Sequence, residues 1–239
     1  MEKIEGLQKD EGKQKNELEL VQKEIVLKCQ ACGRDPKTVR IVAVSKLQPI
    51  EKINRLYGHG QRIFAENYVQ EAIAKKLELK SLDIEWHLIG HLQKKKLNSI
   101  LGQFDLIHSI DSLDLARNLA KKCGEKNITQ KVLIEVNISQ EATKDGWVAS
   151  ELREQWADLL KLSGLKITGL MTMPPSTENP EEARVYFRNL RMLRDELRTP
   201  AHPLEELSMG TSQDYLVAIE EGATLVRLGQ RIFGERVQK

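Results

Sequence analysis

Val39-Arg40-Ile41-Val42-Ala43-Val44-Ser45-Lys46 decides how the rest of the chain is read. This short β-branched run lies between a segment containing Pro36 and the pair Gln48-Pro49. Its composition is that of a strand buried on both faces, the kind found in parallel α/β sheets. It ends in a lysine. Ligands of parallel α/β proteins bind at the carboxyl ends of the strands, so this amine points toward the expected site. Two readings of Lys46 stand side by side here: a solvated strand end, as most lysines are, or an amine that condenses with a carbonyl.

Working outward, the remainder of the chain repeats the strand-then-helix pattern. Further strands are expected at Ile63–Ala65, Ile84–Ile89, Phe104–His108, Val132–Ile138, Leu165–Met171, Leu204–Ser208 and Thr224–Leu228. Helices are expected at Ile50–Tyr57, through Tyr68, Ile73 and Leu77, from Gln93 to before Gly102, from the Asp111-Ser112 cap to Cys123 with Gly124 as its stop, at Ala149–Leu162, from Pro180 to Leu197, and at Ser212–Glu220. Open sheets more often hold five or six strands, so eight strands and seven joining helices predict an α/β fold of the (β/α)8 TIM-barrel type. About 250 residues is typical of such a barrel, and residues 1–239 read as a single domain with an N-terminal helix over 1–34 and the barrel over 38–234. The helical stripe through Leu18, Leu20, Val21, Ile25, Val26 and Leu27 predicts that the first helix covers the gap after strand eight, where little sequence remains for a helix.

Composition excludes several function classes. With 37 basic and 35 acidic residues the formal net charge is +2, too small to imply a nucleic-acid or membrane partner. No apolar run is long enough to span a bilayer, and the polar, acid-containing amino terminus has neither a secretory nor a transit pattern, so a cytoplasmic location is expected. Three cysteines cannot all pair within one chain, which fits a reducing compartment. Cys29 and Cys32 have zinc-site spacing but no second pair, and read as ordinary thiols near a helix end.

On a barrel, chemistry sits just past the strand ends. Ser208-Met209-Gly210-Thr211-Ser212 leads into a helix, which either presents N–H groups to an anion or is only a capped turn. Gly229 ends strand eight, and barrels often bind phosphate after strands seven and eight. Arg227 beside that loop is either an ion-pair partner or a donor to a ring nitrogen or an acid. His87 and His91 are four apart, but Gly90 lies between them and the segment reads as strand, so a metalloprotease helix is not formed. Lys94-Lys95-Lys96 reads as a solvated face.

Six motifs, in order, resemble those of the pyridoxal 5'-phosphate (PLP) homeostasis proteins, a family with a single alanine-racemase-like barrel. They are Ala43–Lys46, Phe64–Glu71, Trp86–Gln93, Gly169–Met171, Leu207–Asp214 and Val226–Gly234. The resemblance implies an alanine racemase N-terminal-domain-like barrel with an extra N-terminal helix, and PLP as cofactor. It implies that Lys46 holds PLP as a Schiff base, Asn67 lines the site, Ser208, Ser212 and Gly229 hold the phosphate, and Arg227 faces the pyridine nitrogen. Three positions depart from the usual pattern: Ala65 for glycine, Lys95 for asparagine and Thr211 for methionine. None of them is an implied cofactor contact.

Burial beside Arg227 is expected to favour the neutral lysine that attacks an aldehyde. Arginine has no acceptor and keeps its protons, so the cofactor would be a weak electron sink. Racemisation needs a second base on the opposite face. Alanine racemases take theirs from a further domain for which this chain, ending at Lys239, is expected to have no room. Tyr57, Tyr68, Tyr186 and Tyr215 all read as helical packing residues. The expectation is a non-catalytic, monomeric PLP carrier that serves PLP homeostasis and whose partners are PLP and PLP-dependent apoenzymes. A low-activity amino-acid racemase and a phosphate-ligand module forming no covalent bond are the alternatives.

Overall fold

Each strand of a barrel points alternate side chains inward and outward, and this parity organises the molecule. The computed structural model describes residues 2–141 and 143–234, with side chains throughout except those of residues 2–11 and 13. A long helix α1 (Glu2–Ala31) precedes β1 (Arg40–Val44), α2 (Ile50–Gly58), β2 (Ile63–Glu66), α3 (Val69–Glu78), β3 (Glu85–Leu88) and α4 (Leu97–Ile100). Then come β4 (Leu106–Ile110), α5 (Leu113–Glu125), β5 (Gln130–Glu135), α6 (Ala149–Leu160), β6 (Leu165–Met171) and α7 (Arg184–Leu197). The chain closes with β7 (Glu206–Ser208), α8 (Tyr215–Glu220), β8 (Leu225–Leu228) and α9 (Gln230–Phe233). The eight strands pair in parallel in sequence order, and β1 bonds both β2 and β8, so the sheet is a closed (β/α)8 barrel. Among the described residues no helix is long and apolar enough to cross a membrane.

Two apolar clusters follow from strand parity. Ala43, Phe64, Trp86, Ile107, Val132 and Val226 face outward and meet the helices. Val42, Ile63, Ala65, Leu106, Leu133, Met171 and Leu225 pack inside the barrel. Several boundaries differ from those expected. β4 begins at Leu106, two residues late, because Asp105 uses its carboxylate to accept the Trp86 N–H at 2.7 Å and so belongs to the turn. β5 stops at Glu135 because Asn137 folds into a turn, its amide donating to the carbonyls of Glu141 and Lys144. Gly124 does not stop α5; Asn127 does, with a left-handed φ of 52°. α8 starts at Tyr215 and not at Ser212, since Thr211 N–H and Oγ1–H both donate to Asp214 Oδ1 in a turn ahead of the helix.

α1 stands where the helix after β8 would be, packed against α2, α8 and α9. Its buried stripe is Leu18, Val21, Ile25 and Cys29 at spacings of three and four, while Leu20, Val26 and Leu27 are exposed. The expected stripe was therefore too wide, and it missed Cys29. Charge fixes the docking: Arg231 pairs with Glu17 and Glu24, Tyr215 Oη–H donates to Glu24, and Lys28 pairs with Glu220. Cys29 is buried and Cys32 exposed, both as free thiols, with Cys32 Sγ–H donating to the Cys29 carbonyl at 3.5 Å.

Leu18→Ala is expected to cost about 2–4 kcal/mol in urea unfolding, whereas Leu27→Ala changes stability by less than about 0.5 kcal/mol. Equal effects at the two positions would mean that α1 docks on a different face.

Candidate functional site

Continuing the inward parity past the strand ends places Lys46 after Val44, Asn67 after Ala65, Met173 after Met171, and Arg227 and Gly229 after Leu225. These residues line one cavity of about 340 Å³ at the carboxyl end of the barrel, together with Thr211, Ser212, Gln213 and Gln230. Five of the six expected site residues, Lys46, Asn67, Ser212, Arg227 and Gly229, thus meet in one place. Ser208 does not. The β7–β8 register sets it beside Leu225, two residues below Arg227, so its hydroxyl lies buried under the arginine and away from the cavity wall.

Lys46 is half-buried, and the backbone on either side of it is held from the helix side of the sheet. The Lys75 ammonium, on α3, donates to the Ser45 carbonyl at 2.7 Å, to Glu66 Oε1 at 2.8 Å and to Glu71 Oε1 at 2.7 Å. Glu71 Oε1 also accepts the Leu47 N–H at 2.7 Å, and Ser45 Oγ–H donates to Glu66 Oε1 at 2.7 Å. Leu47 takes a left-handed φ of 60°, a conformation a branched residue adopts only when its surroundings impose it. Behind this, Gly90 packs so closely on Asn67 that a Cβ there would come within 2.1 Å of the Asn67 carbonyl oxygen.

Arg227 is buried on β8, the strand that pairs with β1, and among the described residues its side-chain acceptors are all neutral. Nη1–H donates to Ser208 Oγ at 2.6 Å, and Nη2–H to the Thr172 carbonyl and to Met173 Sδ, both at 2.9 Å. Burial pushes the guanidinium down to about 10 against the opposing pull of Asp214 and Glu135. Ser208 Oγ also lies 2.9 Å from His108 Nδ1; His108 Nε2 lies 3.0 Å from His87 Nδ1, and His87 Nε2 lies 2.9 Å from Glu85 Oε1. The loop after β7 is tied to β8 by Arg227 N–H donating to the Gly210 carbonyl at 3.0 Å. Gly210 has φ +90°, and a Cβ there would meet Ala218 at 2.6 Å. Ser212 Oγ accepts the Arg231 N–H at 3.4 Å.

The remaining marks separate. His87 is inside the barrel. His91 is at the rim, its Nδ1 3.0 Å from Asp145 and 3.5 Å from Asp111, a trio whose ligating atoms lie within 4.8 Å of one another. Lys94–Lys96 forms an exposed turn, with Lys94 paired to Asp114. Tyr68 is not helical: it is the residue before α3 and is 53% exposed. Among the described residues no tyrosine lines the cavity.

Lys75, His108 and Glu135 were missed from sequence, and His87 was weighed only as a metal ligand. Lys75 breaks the otherwise apolar stripe Val69, Ala72 and Leu79, and a charge in such a stripe is the signal that could have found it. His87 and His108 share inward parity on neighbouring strands. Glu135 ends β5 on the same parity, and burial, followed by Asp111 and Asp145, pushes its carboxyl up to about 7 although Arg227 pulls it down. Because the folded value lies above the ordinary 4.5, the stability tied to protonated Glu135 is complete below pH 4.5 and is lost as pH rises through 7. Glu135→Gln is expected to leave stability unchanged near pH 4.5 and to raise it at pH 8, on the order of 2 kcal/mol in urea unfolding. No gain at pH 8 would contradict this.

Comparison with known proteins places the chain in a family. The family described as alanine racemase, N-terminal domain, matches residues 30–237. A pyridoxal phosphate homeostasis protein of Aquifex aeolicus is 47% identical over 209 residues, covering 87% of this chain and 92% of that protein. The protein of the same name from Escherichia coli K12 is 38% identical, covering 86% and 89%. The structure of PipY from Synechococcus elongatus with PLP bound superposes with a TM-score of 0.78 at 38% identity, covering 88% of this chain and 100% of that one. An alanine racemase of Clostridium difficile shares the fold at 14% identity and a TM-score of 0.74, this chain covering 58% of it. The chain therefore belongs to the alanine racemase N-terminal-domain family and, within it, to the pyridoxal phosphate homeostasis proteins.

Proposed function

We propose that this protein binds PLP in the cavity between Lys46 and Arg227, holds it covalently on Lys46 without turnover, and acts in PLP homeostasis. The observation that carries the reading is that a primary amine and an arginine whose acceptors are neutral line one cavity. Two further observations make the residues fit this group. Asn67 Oδ1 is buried with no hydrogen-bond partner, and one of the Arg227 N–H bonds ends on the thioether of Met173, a weak acceptor that a better one would displace. A relative of similar length has been solved with PLP bound.

PLP, when bound, would supply an aldehyde able to join a primary amine with loss of water. Lys46 is the amine, and the Lys75 clamp fixes the direction from which it approaches. Arg227 donates to the ring nitrogen without protonating it, which disfavours deep carbanion chemistry. Ser212 and the backbone at Gly229 hold the phosphate. Ser208, expected to share that task, supports Arg227 instead. The cavity wall offers no tyrosine as a second base among the described residues, which favours storage and delivery to PLP-dependent apoenzymes over racemisation.

Borohydride reduction followed by peptide mass analysis is expected to find the pyridoxyl group on Lys46. Lys46→Met should lose that label and the yellow colour and retain PLP at least about tenfold more weakly. Label on another lysine, or unchanged colour in the variant, contradicts the covalent assignment. Rapid exchange of an amino acid's α-hydrogen with deuterated solvent contradicts the absence of turnover.

A further inference from the structure

The interior of the barrel carries a row of polar side chains where apolar layers would otherwise stack. It begins at Glu85, the first residue of β3 at the amino-terminal end of the barrel, with its side chain 40% exposed and near Arg40. It passes through His87, His108 and Ser208, all fully or almost fully buried, and ends at Arg227 in the cavity. Four contacts of 2.6–3.0 Å connect these five residues.

We infer that His87, His108 and Ser208 are positioning residues that carry a single direction of hydrogen-bond donation from Arg227 to Glu85, and so orient the guanidinium and stabilise its charge. This rests on the reading of the cavity as the PLP site. The direction agrees with the two ends, since Arg227 only donates and the Glu85 carboxylate only accepts. A carboxylate only accepts, so His87 Nε2 carries a proton and donates to Glu85. In this direction His87 Nδ1 accepts from His108 Nε2–H. In the same direction His108 Nδ1 accepts from Ser208 Oγ–H, and burial disfavours the charged His108 that would donate from both nitrogens. Ser208 Oγ keeps its lone pairs for Arg227, which can only donate. Every contact is satisfied when the donor of each pair lies on the Arg227 side.

The direction matters because Arg227 is a buried cation without a carboxylate in hydrogen-bond reach among the described residues. Such a charge is costly to bury unless compensated. Hydrogen bonds in series polarise one another in a low dielectric, so the Glu85 carboxylate, on the opposite side of the barrel, supports the guanidinium through three intermediates. The outer edge of Arg227 is then held toward the ligand, and Ser208 cannot rotate away from it.

Two measurements test this. In cofactor-free protein, ring-nitrogen NMR is expected to show both His87 and His108 as neutral Nε2–H tautomers, and hydrogen exchange at Arg227 is expected to quicken in Ser208→Ala, His108→Phe and Glu85→Gln. In loaded protein, each of these three substitutions is expected to weaken PLP retention about three- to tenfold, the size of one hydrogen bond, and to have no further effect in an Arg227→Gln background. Glu85→Gln lies at the exposed end and keeps the test open if a core variant does not fold. An Nδ1–H tautomer of His108, unchanged exchange at Arg227, or losses that multiply in the Arg227→Gln background would overturn the inference. If the parent protein binds no PLP, the functional reading fails, while the tautomers and the Arg227 exchange still decide whether the chain exists.

Discussion

One buried ammonium sets the geometry on which the site depends. Lys75 has three protons and three acceptors within 2.8 Å, so the cost of removing its charge from water, several kcal/mol per ion, is met by complete pairing. Burial pushes Glu66 up, and Lys75 and Ser45 pull it down. The consequence is mechanical. The Ser45 carbonyl and, through Glu71, the Leu47 N–H are both anchored on the helix side of the sheet, and the residue between them must project inward. The left-handed Leu47 is the local strain this arrangement sustains.

On the neighbouring strand β8 the problem is the opposite one. Arg227 is a cation with neutral partners, lowered by burial to about 10 and still charged at neutral pH. An arginine in this position donates without giving up a proton, which sets the electronic character of whatever ring it meets. The third side is built by α8, α9 and the loop ahead of them, and α1 braces that side through Arg231, Glu24 and Tyr215. The helix that fills the gap after β8 is thus also the one that steadies the expected phosphate end.

Much of this is legible in the chain. Apolar runs such as Arg40–Val44 and Leu106–Ile110 mark the strands because both of their faces are largely buried. Parity then carries Lys46, Asn67 and Arg227 to one rim. What escapes is set by register and by long-range pairing. Ser208 lies in a motif that suggests phosphate, but its height in the barrel depends on a β7–β8 register that no local pattern encodes. Lys75 finds its partners 4, 9 and 30 residues away, and its burial is visible only once α3 docks. Leu20, Val26 and Leu27 look like stripe residues by hydrophobicity, yet α1 presents a narrow seam and leaves them in water.

The central claim is that Lys46 and Arg227, on neighbouring strands, grip one ligand. A crystal structure of the protein soaked in PLP tests it most directly. The expected result is continuous density from Lys46 Nζ into the cofactor, with the ring nitrogen toward Arg227 and the phosphate against Ser212 and Gly229. Density for PLP detached from Lys46, or bound with its ring nitrogen turned away from Arg227, would contradict the account.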